Sequence, residues 1–266
     1  MPRMSLNSLS PAALIAPIEE LARAAGRVIL DVYASDFSIY QKDDQSPVTE
    51  ADRRAEAIIL PGLHTLTPDI PVVAEEEVAA GRTPEIGGTT FWLVDPLDGT
   101  KEFIKRNGEF TVNIGLIVDG KPAVGVVFAP AQSLMWSGAA PGTATKIDAQ
   151  GRRTPISCRP VPKTGPVVVT SRSHRNPEEM DRWMAPLDAP VTLFAGSSLK
   201  FCQVAEGNAD FYPRFGPTCE WDVAAAHAVL QAAGGEVVTF DEQPLAYLKP
   251  GFLNPNFLAR AKAPRS

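Results

Sequence analysis

Several residue types and patterns are scarce in this 266-residue sequence, and each scarcity argues against a class of protein. The three cysteines, Cys158, Cys202 and Cys219, are odd in number and include no C-x-x-C pair, so neither a disulfide framework nor a zinc site is expected. A net charge of −6 argues against a general binder of nucleic acid or anionic membranes. No apolar run approaches the ~18 residues that cross a membrane.

The N-terminal region also lacks the pattern of a secretory signal. Glu19 and Glu20 interrupt the short apolar stretch that would have to form the core of such a signal. Together with the cysteine pattern, this predicts a cytoplasmic protein, and peripheral attachment to the inner face of the cell membrane stays open. A phosphorylated small molecule is compatible with the negative charge if metals and a few cations neutralise it locally.

What is present is the composition of a globular protein, with 44% hydrophobic and 21% charged residues. The length suits one large domain or two closely packed halves. The segment 152–166 is rich in proline and arginine, which marks a boundary. We therefore predict helices on a mainly antiparallel sheet over residues 1–155 and an α/β half over residues 156–266. A monomer and a homodimer are both left open.

Hydrophobic periodicity predicts the elements of the first half. After Ser10-Pro11, apolar residues recur at three- and four-residue steps and predict an amphipathic helix to residue 32. Thr49 opens a second predicted helix, and Asp119-Gly120 predicts a hairpin turn. The predicted strands cover 71–74, 91–94, 110–118, 122–128 and 134–137.

The second half alternates between strand and helix patterns, which is typical of layered α/β structure. The predicted strands cover 167–170, 191–194, 210–212 and 237–240. The predicted helices cover 177–187, 198–206 and 222–233.

The most informative segment follows the predicted strand 91–94. Pro96 is expected to stop ladder pairing there. Asp95 and Asp98, with the Leu97 carbonyl between them, offer oxygen ligands to a hard cation. The amides of Gly99 and Thr100 could open a helix that holds a phosphate oxygen. By spacing alone, an Asp-Gly turn with solvated carboxylates explains the segment equally well.

Further carboxylates fall at the ends of predicted elements, where α/β active sites are assembled. Glu75 follows a strand, and Asp222 follows Trp221 at a predicted helix start. Each has a structural alternative. Glu75 would belong to a solvated acidic loop, Asp222 would favour its helix dipole, and Asp52 would form a capping box with Thr49.

Over residues 10–258 the chain resembles the inositol monophosphatase superfamily of magnesium-dependent, lithium-sensitive phosphatases. The resemblance is specific because three separated motifs occur in the order that is typical of this superfamily. Further segments resemble its bacterial 3′(2′),5′-bisphosphate nucleotidases. The superfamily motifs are Asp95–Thr100, Glu75-Glu76, and Trp221-Asp222 with Ala224-Ala225 and Gly234-Gly235. The subgroup segments are Lys101–Asn113, Ser171–His174, Gly196–Cys202 and Tyr212–Pro217.

The resemblance implies a layered αβαβα sandwich of the sugar-phosphatase type and hydrolysis of the 3′-phosphate of adenosine 3′,5′-bisphosphate to AMP. Metal-activated water would attack in line, without a phosphoenzyme. Two Mg²⁺ ions are implied, and a third is left open. The implied metal ligands are Glu75, Asp95, the Leu97 carbonyl, Asp98 and Asp222. The implied catalytic residues are Thr100, which would orient the attacking water, and Glu75 beside it. Asp52 and Glu76 are also implied, at positions linked in the superfamily to a weaker metal or to water activation.

The resemblance also implies the groups that contact the nucleotide. Asp98, Gly99, Thr100 and Asp222 would lie at the reacting phosphate. The second phosphate needs cations remote from the metals, and the implied residues are His174, Ser197, Lys200 and Arg214. From the residues alone, Lys200 on a solvated helix face, Arg214 in a surface ion pair and His174 in a loop are the favoured alternatives.

Other functions remain as alternatives. An aspartyl-phosphate phosphatase needs one residue between its carboxylates, whereas Pro96 and Leu97 both intervene here. Inositol monophosphatases typically continue Asp-Gly-Thr with Thr-Asn-Phe, whereas this chain has Lys101-Glu102-Phe103, which favours the nucleotidase over inositol monophosphatase or fructose-1,6-bisphosphatase activity. A non-catalytic metal-binding scaffold is disfavoured because the acidic set is intact.

Overall fold

The computed structural model describes residues 10–41, 47–139, 142–172 and 176–262. Its helices are α1 (Ile15–Tyr33), α2 (Glu50–Leu66), α3 (Glu75–Ala79), α4 (Thr100–Ile104), α5 (Pro177–Met184), α6 (Leu199–Ala205) and α7 (Ala224–Ala232). Its strands are β1 (Ile39–Gln41), β2 (Pro47–Thr49), β3 (Val72–Ala74), β4 (Phe91–Asp98), β5 (Thr111–Val118), β6 (Lys121–Ala129), β7 (Leu134–Ala139), β8 (Thr145–Ile147), β9 (Arg153–Pro155), β10 (Val167–Thr170), β11 (Val191–Phe194), β12 (Phe211–Arg214), β13 (Gly235–Thr239) and β14 (Phe257–Ala261).

Two large sheets organise these elements. The first runs in the order β3-β4-β5-β6-β7-β8-β9, parallel between β3 and β4 and antiparallel elsewhere. The second runs in the order β11-β10-β12-β14-β13, with β10 parallel to β11 and β12. In that sheet β14 is antiparallel to both neighbours, and β1 and β2 form a separate small hairpin.

The helices fill three layers around the sheets. The apolar faces of α1 and α2, including Ile18, Ile29 and Ile59, form one core with Trp92 and Ile114 of the first sheet. On the other face, α6 and α7 lie between the two sheets. Helix α5 contacts the second sheet through an edge-on ring contact of Trp183 with Phe211. The predicted layered fold is thereby confirmed.

A row of glycines lets α7 approach the first sheet closely. Gly115, Gly125 and Gly138 are direct cross-strand neighbours on β5, β6 and β7. A Cβ atom at Gly125 would lie 2.1 Å from the carbonyl oxygen of Ala225, and one at Gly115 would lie 2.7 Å from the Ala225 nitrogen. Because any larger residue would push α7 away, the row determines how near the second half comes to the sheet that carries Asp95 and Asp98.

Several predicted boundaries were wrong. β4 continues through Pro96 to Asp98, whereas the sequence predicted its end at Val94. α7 begins at Ala224, so Asp222 lies in the turn before the helix rather than within it. α5 and α6 are shorter than predicted, and β1, β2, β8, β9 and β14 were not predicted. The unpredicted strands are short or lie at positions that only pairing with neighbours defines.

The three cysteines differ in burial, since Cys202 is buried and Cys158 and Cys219 are half-buried. Within the described ranges, no helix is both long and apolar enough to span a lipid bilayer.

Candidate active site

A bulge at the end of β4 brings its two carboxylates to one side. Asp95 pairs with Asn113 of β5 and Asp98 pairs with Thr111, so three steps on β4 match two on β5. Pro96 lies in the bulge, since it has no N–H to donate to the ladder. In a regular strand, side chains three residues apart point to opposite faces of the sheet. The extra residue of the bulge changes this alternation, so that Asp95 and Asp98 point to the same side. The amide of Leu97 donates to Asp95 Oδ1 over 3.0 Å and fixes that side chain.

Asp98 is held by a dense set of donors from both halves. Its Oδ2 accepts hydrogen bonds from Ser197 Oγ at 2.5 Å, from the Ser198 amide at 2.7 Å and from Ser198 Oγ at 3.0 Å. Asn113 Nδ2 lies 3.4 Å from the same oxygen. Asp98 thus has one oxygen bound to the protein, with its orientation set by β5 and by the turn before α6.

Gly99 turns the chain from β4 into α4. Its φ of 92° is in the left-handed region, and a Cβ atom would lie 3.2 Å from the carbonyl oxygen of Glu109. Thr100 then begins α4, as the sequence predicted. Its Oγ1 lies 3.4 Å from both Asp52 Oδ1 and the Leu97 carbonyl oxygen.

Asp52 forms the predicted capping box with Thr49, which was the alternative to a catalytic role, and its other oxygen lies close to Thr100. Its Oδ2 accepts from the Thr49 amide at 2.7 Å and from Thr49 Oγ1 at 2.8 Å, while Oδ1 faces Thr100. Burial raises the pKa of Asp52 to about 7, against the lowering effect of the bonds from Thr49. The two interpretations of Asp52 are therefore compatible.

Glu75 and Glu76 open a short helix, α3, rather than a loop. The residue before this helix, Ala74, has no side chain that could cap it. Glu56 of α2 supplies the acceptor, since its Oε2 accepts from the Glu76 amide at 3.1 Å. Burial raises the pKa of Glu56 to about 7. Sequence reasoning missed Glu56, although it lies one helical turn after Asp52.

Asp222 is presented by a turn that the C-terminal segment holds. Its Oδ2 accepts from the Cys219 amide at 2.8 Å. The neighbouring Glu220 is fully buried and accepts from the amides of Leu248 and Lys249 at 2.9 and 2.8 Å and from Lys249 Nζ at 2.6 Å. A buried carboxylate with three donors is a strong local anchor, so the position of Asp222 depends on residues far along the chain.

Glu75, Asp95, Asp98 and Asp222 form one acidic cluster. Burial raises the pKa of Asp95 well above its usual value, and the charges of Glu75, Asp98 and Asp222 raise it further. Burial, together with the charges of Asp98 and Glu75, raises the pKa of Asp222 in the same way. The close approach of the Glu75 side chain also raises the pKa of Asp95.

The cluster suits divalent cations by the chemistry of its donors. Carboxylate and carbonyl oxygens are the ligands of Mg²⁺, and a cation would relieve the repulsion among buried acids. Within the described ranges, no three Asp, Glu, His or Cys side chains stand close enough together to hold an ion as they are. Donors from the protein engage one oxygen each of Asp95, Asp98 and Asp222 and thereby orient these side chains.

A cleft of about 270 Å³ extends from the cluster to two cations, Lys200 and Arg214. Lys200 is 5% exposed, donates to the Ser197 carbonyl oxygen at 2.6 Å and lies 5.3 Å from the centre of the Tyr212 ring. Burial lowers the pKa of Lys200 to about 8, and the charge of Asp98 opposes this. Lys200 is therefore not on the solvated helix face that the residues alone favoured.

Arg214 lies where this cleft opens into an outer cavity of about 930 Å³. Its Nη2 donates to the Pro217 carbonyl oxygen at 3.0 Å, and its Nε is buried without a hydrogen-bond partner among the described residues. The outer cavity is bordered by apolar and aromatic side chains, including Phe215, Trp221 and Leu253. Its size and lining suit a flat, partly apolar group.

The structure brings most of the predicted site residues together. Glu75, Asp98, Gly99, Thr100, Ser197, Lys200, Arg214 and Asp222 line the cleft, and Asp95, Leu97 and Asp52 contact these residues or the cluster. Glu76 contributes its amide to Glu56 and its charge to Asp52. The hydroxyl of Ser197 is bonded to Asp98 and Thr111. His174 lies outside the described residues.

Sequence reasoning missed Thr111 and Asn113 of β5 and Ser198, which bond to one another or to Asp98. The two β5 residues are polar, alternate in an otherwise apolar strand and therefore share a face, which is a signal that could have identified them. Ser198 carried no comparable signal, because a serine before a helix is adequately explained as a cap.

Comparisons with known proteins identify the family of this chain. A family model described as "Inositol monophosphatase family" matches residues 11–265. The 3′(2′),5′-bisphosphate nucleotidase CysQ of Escherichia coli O157:H7 is 51% identical over 241 residues, which cover 90% of this chain and 96% of the relative. The crystal structure of CysQ from Bacteroides thetaiotaomicron, described as a bacterial member of the inositol monophosphatase family, superposes with a TM-score of 0.80 at 36% identity, covering 97% of this chain and 99% of that one. An inositol monophosphatase from Anabaena superposes with a TM-score of 0.74 at 28% identity, covering 94% and 90% of the two chains.

Proposed function

The chain belongs to the inositol monophosphatase family, and we propose that it is a phosphatase that removes the 3′-phosphate of adenosine 3′,5′-bisphosphate to leave AMP. The relatives of about 50% identity that are named 3′(2′),5′-bisphosphate nucleotidases support this substrate. The observation that carries the proposal is the cleft itself, which Glu75, Asp98 and Asp222 of the acidic cluster line together with the cations Lys200 and Arg214. The carboxylates define what we call its carboxylate end, and the two cations define its cationic end.

Mg²⁺ fits the carboxylate end, where Glu75, Asp95, the Leu97 carbonyl, Asp98 and Asp222 would hold it. When bound, it would polarise the reacting phosphoryl group and stabilise the charge that develops as the ester bond breaks. The chain contributes a preformed orientation of these oxygens. Leu97, Ser198 and Cys219 each donate a backbone N–H to one aspartate of the cluster.

Thr100 and Asp52 are the groups that would orient the attacking water and take its proton. The Thr100 hydroxyl lies 3.4 Å from Asp52 Oδ1, and Asp52 titrates near neutral pH because it is buried. Water attacks phosphorus opposite the 3′ oxygen, and its proton passes through Thr100 towards Asp52. The P–O3′ bond breaks, and the leaving oxygen takes a proton from solvent in the cleft.

The cationic end would bind the second phosphate. Lys200 offers a buried ammonium on α6, and Arg214 offers an Nε donor that has no partner within the described chain. A substrate with a single phosphate leaves this end unfilled, so the arrangement favours a bisphosphate. The outer cavity beside Phe215 and Trp221 would receive the adenine.

The test is the release of phosphate from adenosine 3′,5′-bisphosphate, inositol 1-phosphate and fructose 1,6-bisphosphate, each with Mg²⁺ and with EDTA. We expect the highest kcat/KM for the nucleotide, loss of turnover in EDTA, and AMP rather than adenosine 3′-monophosphate as the product on chromatography. A higher kcat/KM for either sugar phosphate would contradict the substrate. Failure to hydrolyse any of the three would favour a metal-binding scaffold.

A further inference from the structure

We propose that Ser198 is a positioning residue that, together with Asn113, fixes the Asp98 carboxylate relative to Asp222 and thereby determines the metal affinity of the site. The inference rests on the metal centre of the proposed function. It concerns a residue that acts through its hydrogen bonds to Asp98.

The Ser198 side chain lies where the ligand-bearing segments of the two halves meet. Its Oγ is 3.0 Å from Oδ2 of Asp98, the last residue of β4 in the first sheet. The same Oγ is 2.9 Å from the main-chain oxygen of Asp222, which belongs to the second half. The side chain is 2% exposed, so water competes little for these bonds. One hydroxyl thus spans the gap between the two aspartates.

Asn113 determines where the proton of this hydroxyl goes. Its Nδ2 donates to Ser198 Oγ at 3.0 Å, and its Oδ1 accepts from Thr111 Oγ1 at 3.2 Å, which sets the orientation of the amide. Since the Ser198 oxygen accepts from Asn113, its single proton is directed to Asp98 Oδ2 or to the Asp222 carbonyl oxygen. Asp98 Oδ2 and the Asp222 carbonyl oxygen are therefore connected through Ser198 to Asn113, a fully buried residue of β5.

The backbone around Ser198 is also constrained. Ser197 has a φ of 51°, an uncommon conformation for a serine. A side chain at Gly196 is excluded, because a Cβ atom there would lie 2.8 Å from the carbonyl oxygen of Glu109. This turn therefore holds the Ser198 amide and hydroxyl on the same oxygen of Asp98, Oδ2.

The experiment compares Ser198→Ala with Ser137→Ala in the full chain. Ser137 is a matched control, because it is 1% exposed and its hydroxyl bonds to Thr145 at 3.1 Å and Arg153 at 3.3 Å, outside the cleft. Binding of Mg²⁺ and Mn²⁺ is measured by calorimetry without substrate. Removing partners of this kind typically weakens metal binding by 10–100-fold, so we expect the Kd of Ser198→Ala to rise by about tenfold or more.

Asn113→Ala and the double variant separate positioning from loss of structure. If both side chains act through Asp98, the double variant should weaken metal binding by less than the product of the single effects. Unfolding in EDTA should show similar losses of stability for Ser198→Ala and Ser137→Ala. Unchanged metal affinity in Ser198→Ala, or an equal loss in Ser137→Ala, would overturn the inference.

The outcome is independent of the substrate. If adenosine 3′,5′-bisphosphate is the wrong substrate, the metal affinities of the variants are unaffected. If the wild-type chain binds neither cation, the metal centre and this inference are overturned together.

Discussion

The two halves contribute to the cleft in opposite ways. The first half supplies Asp95 and Asp98 from the end of β4 and Glu75 from the start of α3, and backbone amides or β5 orient one oxygen of each aspartate. The second half supplies Asp222 from a turn that is held by distant residues, Lys200 from α6 and Arg214 from the end of β12. The comparison shows that Asp95 and Asp98 are positioned by strand pairing within one sheet, whereas the position of Asp222 depends on contacts with residues far along the chain.

The largest effect is expected from removing a ligand of the first half. Asp98→Asn conserves volume but loses a charged oxygen, and the fall in kcat with Mg²⁺ should be roughly 10³-fold or more. Asp119→Asn is the matched control, since Asp119 lies in the exposed turn between β5 and β6 with a φ of 51° that asparagine tolerates. Steady-state kinetics and thermal unfolding check both variants. Near wild-type turnover in folded Asp98→Asn would disprove the ligand role.

Gly125→Ala tests the packing between the halves. The new methyl group would meet the α7 backbone at 2.1 Å, so the free energy of unfolding should fall by about 3 kcal/mol. Turnover should fall as well, because α7 follows Asp222 directly. The control is Gly87→Ala, where a Cβ atom meets nothing within 4 Å. Urea unfolding compares the two, and equal stabilities would show that the glycine row does not set the spacing.

Lys200→Met tests the cationic end. Loss of a charge-assisted contact of about 1.5–3 kcal/mol should lower kcat/KM for adenosine 3′,5′-bisphosphate by roughly 10–100-fold. The kcat/KM for adenosine 3′-monophosphate, which lacks the second phosphate, should fall much less. Lys146→Met is the control, because Lys146 also lies over an aromatic ring, that of Trp136, but pairs with Glu206 outside the cleft. Equal losses for both nucleotides would place the second phosphate elsewhere.

The smallest effect is expected at Glu56, which caps α3. Glu56→Ala leaves the Glu76 amide without its acceptor and should reduce stability by about 1 kcal/mol, with a weaker affinity for Mg²⁺ because Glu75 begins the same helix. Glu56→Gln keeps an acceptor oxygen, so its stability and its affinity for Mg²⁺ should both stay close to those of the wild type. Urea unfolding and calorimetry with Mg²⁺ check the pair. Identical behaviour of the two variants would exclude the capping role.

The elements with long periodic patterns were predictable, whereas those defined by pairing were not. α1, α2 and the β5–β6 hairpin appear where the sequence predicts them, because each carries many apolar residues at a regular spacing and a capping or turn signal. The extension of β4 past Pro96 was missed, since a bulge depends on the partner strand β5. The roles of Asn113, Ser198 and Glu56 were missed because each acts on a residue distant in sequence.

The sequence by itself determined which chemical groups are available: carboxylates at positions 75, 95, 98 and 222, a Gly-Thr pair after Asp98, and cations at 200 and 214. Their types and order identify the family by resemblance, whereas their spacing alone left ordinary surface roles open. The tertiary structure alone decided that these groups face one cleft, that Asp98 has one oxygen bound by donors from β5 and the second half, and that α7 lies close enough to the sheet for Asp222 to join the cluster. The physical reason is that distances between segments far apart in the chain depend on how sheets and helices pack, which no local pattern encodes.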